Sequence, residues 1–237
     1  MNILKDAEVH ALFAKLLIDR PQHSKILQIG ANDGKSYDPI YKVIRDREDI
    51  HITLVEPIPE YFKYLVKNYA YRENVSFLNV AVSDSNGVAT LRYIPVSEIE
   101  PNNLPHWARG IATMEKNRNA MDETYRDFKR EIHLDKARSR ALAKATKIHT
   151  GPLVSINQLI NHPFHQDTDV LVTDCEGHDA TILLALNMEI CAPSLIFSEW
   201  NLMSSQDQIN IQKKLKDYSF YAGYENFLAV KKETCGL

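Results

Sequence analysis

Apolar runs and amphipathic stripes alternate along this chain with the two periods that separate strands from helices. Short apolar runs fall at about 25–29, 51–56, 75–82, 170–174, 194–199 and 226–231. Unbroken ones such as Val170-Leu171-Val172 suit strands buried on both faces. Helical spacing occupies about 37–47, 59–69, 180–187 and 205–217. This alternation predicts a mostly parallel sheet with helices on both faces. Val9, Leu12, Phe13, Leu16 and Leu17 add an amphipathic helix within an N-terminal segment, 1–24. Its polar face is not rich in Lys or Arg, so the apolar face is expected to pack on the domain, with no membrane involved. Asp84-Ser85-Asn86-Gly87 reads as a turn before a strand at Val88–Tyr93, and Ser219–Tyr221 with Asn226–Val230 reads as an antiparallel C-terminal hairpin.

Between about 95 and 150 the pattern changes. Met121, Tyr125, Phe128 and Ile132 mark one helical stripe, and ten Lys/Arg stand against six Asp/Glu from Met114 to Lys147. This segment is expected to be a helical insertion in a single domain of 1–237. It is either a solvated helical pair held by ion pairs, or a cap carrying Arg109, Lys116 and Arg118 toward an anionic substrate.

The most informative local feature is Lys25-Ile26-Leu27-Gln28-Ile29-Gly30-Ala31-Asn32-Asp33-Gly34, an apolar strand running into a glycine turn before a helix. That order is how a Rossmann-like sheet turns backbone N–H groups toward a small ligand. The spacing is G-x-x-x-G. The nicotinamide pattern G-x-G-x-x-G is absent, which argues against a nicotinamide oxidoreductase. A second strand ends in Glu56-Pro57, 26 residues after Gly30, where such folds hydrogen-bond a ribose diol. The plainer alternative for Glu56 is a charge at the start of the helix opened by Pro57 and Pro59.

A third block, Asp174-Cys175-Glu176-Gly177-His178-Asp179, breaks a buried-type strand into an acidic turn. Together with Gly30-Ala31-Asn32-Asp33-Gly34, Val55-Glu56-Pro57-Ile58-Pro59 and Asn79-Val80-Ala81-Val82-Ser83-Asp84, it resembles the FkbM-like methyltransferases, from about Lys25 to Lys231, with a poor match between about Pro95 and Gly151. The resemblance implies S-adenosylmethionine as cofactor, a Rossmann-like sheet ending in an antiparallel hairpin, and methyl transfer to oxygen on a sugar or other small hydroxylated metabolite. One departure stands out. Gln28 occupies a place where such proteins usually carry an acid; it can accept a hydrogen bond but supplies no charge near the methionine ammonium.

On this reading Gly30, Ala31, Asn32, Asp33 and Gly34 cradle the methionine and ribose part beside Gln28. Glu56 with Pro57 holds the ribose, and Ala81-Val82 line the adenine. Asp174 faces the sulfonium region or the acceptor, or else is a helix N-terminal charge. His178 is the first candidate for a general base, because its ordinary pKa lies near neutrality; Glu199 competes with it. Trp200 and Asn201 either wall the pocket or close their strand. A catalytically silent cofactor-binding module acting through the insertion is the alternative, favoured by Gln28 and opposed by the acidic block.

Composition narrows the field further. The 237 residues suit one α/β domain with an insertion, and 44% hydrophobic with 25% charged residues is ordinary for a globular chain. A net charge of −3 gives no support for a globally basic nucleic-acid binder. Cys175, Cys191 and Cys235 are widely spaced, so a reduced, cytoplasmic protein is expected and no metal spacing is present.

Overall fold

The computed structural model describes residues 1–36, 38–115 and 136–232. The chain opens with β1 (Asn2–Ile3), α1 (Asp6–Ile18), β2 (Lys25–Ile29), α2 (Tyr41–Ile44), β3 (His51–Val55), α3 (Pro59–Asn68) and β4 (Val75–Leu78). Three short elements follow: β5 (Ala81–Ser83), β6 (Gly87–Tyr93) and, beyond the insertion's α4 (Lys136–Ala145), β7 (Lys147–Ser155). The remainder is α5 (Ile156–Asn161), β8 (Val170–Thr173), α6 (Asp179–Ala185), β9 (Leu195–Glu199), α7 (Ser205–Lys214), β10 (Tyr218–Ala222) and β11 (Asn226–Lys231).

Eight strands form one sheet in the order β1-β10-β11-β9-β8-β2-β3-β4. Neighbours run parallel except around β11, which is antiparallel to both β10 and β9. The Rossmann-like sheet and the C-terminal hairpin are therefore as expected. From β2 the chain winds outward to β3 and β4, then returns to lay β8 on the other side of β2. That reversal is the switch point, outside whose strand ends open α/β sheets bind ligands.

Side-chain alternation splits the core into two layers. Leu27, Ile29, Leu171 and Ile196 face one side with residues of α5, α6 and α7. Ile26, Val170, Val172 and Phe197 face the other with residues of α1, α2 and α3. Local chemistry agrees: Pro59 opens α3, and Ser155 and Ser204 accept backbone N–H bonds at the starts of α5 and α7.

Two departures from the sequence pattern matter for the site. The run at 75–82 is two strands, because β5 leaves the main sheet and pairs with β7, which in turn pairs antiparallel with β6. The segment at 95–150 is also not wholly helical. It holds short 3-10 turns at Val96–Glu98 and His106–Gly110, then α4, and β7 begins at Lys147. A small core of its own, including Ile94, Ile99, Leu104, Ala108 and Leu142, steadies it. The stripe at Met121, Tyr125, Phe128 and Ile132, with Lys116, Arg118 and Cys235, lies outside the described residues. Among the described residues, no helix is long and apolar enough to cross a membrane.

Candidate functional site

A cavity of about 500 Å³ opens at the carboxyl ends of β2, β3, β8 and β9. Its size falls in the range of small-molecule sites. Gly30, Ala31 and Asn32 line it from the first turn, Glu56 and Pro57 from the end of β3, and Ala81 with Val82 from β5. Gln28, Asp174, Glu199 and Asn201 line it as well, and Arg109 reaches it from the insertion.

The first turn is shaped by close approach. Gly30 has φ +82°, and a Cβ there would lie 1.9 Å from the carbonyl oxygen of Asp174, so only glycine lets β2 and β8 end side by side. Asn32 also takes a positive φ, 49°. Its backbone N–H donates to Glu56 Oε2 at 2.8 Å, and its side-chain amide donates to the carbonyl of Arg109 at 2.9 Å. Asp33 and Gly34 do not line the cavity. Asp33 braces the turn, accepting from the N–H groups of Lys35 and Ser36 at 3.0 and 2.8 Å and pairing with Arg109. Gly34 is needed for packing on α3, since a Cβ would meet Leu65 Cδ1 at 2.3 Å.

Glu56 is buried, and each carboxylate oxygen accepts one backbone N–H, from Asn32 and from Ile58, both at 2.8 Å. The plain helix-start reading is thus partly realised, because Ile58 is the N-cap residue just before α3. Burial dominates over those hydrogen bonds and pushes the carboxyl up to about 7.

The acidic turn builds the other end. Asp174 is exposed at the end of β8, followed by Glu176 at φ +50° and Gly177 at φ +97°. Buried Asp179 braces this turn through the N–H of Cys175. The fold then brings Asp174, Glu176 and Glu199 together, with one carboxylate oxygen from each within 4.8 Å of the others. Such a trio offers hydrogen-bond acceptors and a place for a cation, and spacing along the chain gives no sign of it. Cys175 fills space, its Sγ 3.7 Å from the carbonyl of Ile29.

Besides Asp33 and Gly34, two more expected site residues lie outside the lining. His178 is not part of the cavity lining. Its Nε2 lies 2.9 Å from Ser83 Oγ and its Nδ1 2.9 Å from Glu115 Oε1, so the ring spans β5 and the insertion. Trp200 is buried against Phe227 and donates to the carbonyl of Gly223; it closes its strand. Sequence reasoning missed His10, Asp38, Thr113, Glu225 and Asn226, all of which line the cavity. Only Asp38 carried a local signal, as an acid before the α2 turn.

A family model for the methyltransferase FkbM domain matches residues 28–228. The chain belongs to that family. Its FkbM domain thus runs from Gln28 on β2 to Leu228 on β11, taking in both turns and the insertion. No curated protein matches the chain. Solved structures that match include the precorrin-6y C5,15-methyltransferase of Geobacter metallireducens GS-15, at 10% identity over 97% of this chain and 90% of that one, TM-score 0.44. The N-methyltransferase NodS of Bradyrhizobium japonicum WM9 matches at 8% identity over 96% and 97%, TM-score 0.41. An S-adenosylmethionine-dependent O-methyltransferase of Thermotoga maritima matches at 10% identity over 100% and 69%, TM-score 0.43.

Proposed function

We propose that this FkbM domain uses S-adenosylmethionine to methylate oxygen on a small, neutral, hydroxylated acceptor such as a sugar. The observation that carries the cofactor half is Glu56, a buried acid at the end of β3, beside a glycine turn that lines the same cavity. The residues fit an adenosyl ligand: Glu56 offers remaining lone pairs to a ribose diol, and Ala81 and Val82 present an apolar wall to a base. The bound cofactor would supply an electrophilic methyl group already activated by positive charge.

The chain's own work is then alignment, exclusion of water and removal of a proton. Asp174 and Glu199 are the groups we assign to the proton, because both line the cavity and stand within reach of one another. One carboxylate orients the acceptor hydroxyl and the other receives its proton as the new bond forms. His178 acts as a positioning residue between β5 and the insertion. Carboxylates on the acceptor side disfavour an anionic substrate, and Arg109 already pairs with Asp33. Arg109 and the insertion therefore serve as a wall fastened to the glycine turn.

Two measurements test this reading. Titration calorimetry should show binding of S-adenosylhomocysteine and none of NAD. Incubation with methyl-labelled cofactor and a panel of neutral polyols, sugar phosphates and amines should label the neutral hydroxyl compounds. Binding without any transfer would favour the silent-module alternative, and labelling of amines alone would move the acceptor atom from oxygen to nitrogen.

A further inference from the structure

Gln28 places an uncharged amide on β2 at the cavity, and the fold brings a carboxylate to it. Asp38 follows the glycine turn and lines the same cavity. Gln28 Nε2 donates to Asp38 Oδ2 at 2.9 Å. Asp38 Oδ1 is engaged by the backbone N–H groups of Ile40 and Tyr41 at 2.8 and 2.7 Å. The carboxylate holds the amide nitrogen of Gln28, while its Oε1 is buried with no hydrogen-bond partner among the described residues. The residue as a whole is only 2% exposed. Among the described residues, no Lys, Arg or His forms an ion pair with Asp38.

Two deficits therefore sit side by side. A buried amide oxygen lacks a donor, which is unfavourable. A carboxylate that lines the cavity has no counter-charge paired with it among the described residues. Burial holds its carboxyl above the usual range, and neighbouring Asp33 pushes the same way. A compact cation with several N–H donors answers both, as a primary ammonium can bond to each oxygen at once.

We propose that Asp38 supplies the charge that position 28 lacks, and that Gln28 and Asp38 together receive the ammonium group of S-adenosylmethionine. This rests on the cofactor reading above. The rival account is that Asp38 only caps the α2 turn, through the two backbone bonds to Oδ1.

The test uses the full chain without added cofactor and two probes in titration calorimetry. S-adenosylhomocysteine carries the ammonium; 5′-methylthioadenosine shares the nucleoside and thioether but lacks the amino-acid part. Asp38→Asn keeps a capping oxygen while removing the charge. It should weaken S-adenosylhomocysteine by about tenfold or more and leave methylthioadenosine within about twofold. Gln28→Glu combined with Asp38→Asn places an acid on β2 and should recover most of the loss. Unchanged affinity for S-adenosylhomocysteine in Asp38→Asn, equal weakening of both probes, or a double variant as weak as the single one would each overturn the proposal. Should Asp38→Asn not fold, Asp38→Ser, another capping side chain, replaces it with the same expectations. A wild-type chain that binds neither probe overturns the cofactor reading itself, an outcome distinct from selective loss.

Discussion

Two strand-to-helix corners stand side by side at the switch point, each braced by a buried acid, and the braces differ in kind. At the glycine turn, Asp33 gathers two backbone N–H groups and is neutralised by Arg109. At the acidic turn, Asp179 accepts from the N–H of Cys175, and burial pushes its carboxyl up. Asp174 and Glu176 beside it then add charge to charge. At the first corner the bracing acid is paired and the turn is shaped for backbone contact. The second gathers three carboxylates, those of Asp174, Glu176 and Glu199, at one mouth of the cavity. On the proposed function, recognition and chemistry are divided between neighbouring corners of one sheet.

The sharpest way to break that division is at the acidic corner. Asp174→Asn or Glu199→Gln should lower the rate of methyl transfer by about 10²–10⁴, with S-adenosylhomocysteine affinity nearly unchanged. A comparable loss of cofactor affinity in either variant would show that the two corners do not divide the work.

Next in size is Gly30→Ala. Its Cβ has no room beside the Asp174 carbonyl and its φ is positive. Unfolding in denaturant should show a loss of about 3 kcal/mol or more, with cofactor binding lost as well. Gly34→Ala should cost stability through Leu65 and Tyr69 while binding of the surviving folded fraction persists.

Glu56→Gln follows, with about a tenfold fall in cofactor affinity. Because burial raises the folded Glu56 carboxyl to about 7 from an ordinary 4.5, the folded state holds a proton that the unfolded chain releases between those values. This group's contribution to stability therefore declines as pH rises through that window. Ribose hydroxyls favour the ionised form, so calorimetric affinity for S-adenosylhomocysteine should rise from pH 6 to pH 8 in the wild type. In Glu56→Gln that rise should vanish.

Smaller effects separate wall from chemistry. Arg109→Ala should weaken cofactor binding by about three- to tenfold, through loss of a partly buried partner of Asp33, and leave the acceptor KM alone. His178→Ala should lower kcat less than tenfold, below the loss expected for removing a proton acceptor. A hundredfold loss would return His178 to the chemistry.

The glycine corner was largely legible in the sequence because it is local. Gly30, Asn32, Glu56 and the strands that carry them lie within about thirty residues, and their turn chemistry is written in residue types. The acidic corner was legible only in part. Asp174 and Glu176 announce themselves, but their company with Glu199 depends on β8 and β9 pairing in register, Thr173 beside Ser198. The surroundings of His178 were hidden for a similar reason: its neighbours Ser83 and Glu115 come from segments far away in the chain. Asp38 was invisible as a partner of Gln28 because its spacing looks like an ordinary turn acid. The strand β7 was hidden because Gly151 and Pro152 interrupt its apolar pattern, and its identity comes from pairing on both sides.

The hairpin has a temporal consequence. The last strand of the sheet, β11, is inserted between β10 and β9 and is not added at an edge. Its turn is pinned by Asp6, whose Oδ1 accepts the N–H of Glu225 across 219 residues of chain. During synthesis, then, the glycine corner can assemble while the acceptor end has neither its wall nor its anchor. Pairings this distant in sequence form late. Pulse-labelled hydrogen exchange on refolding should find β2 and β3 protected ahead of β9 and β11, and simultaneous protection would count against that order. A chain halted before β11 would already carry Asp174 and Glu199, but β9 would lack its antiparallel partner and the cavity wall would lack Asn226.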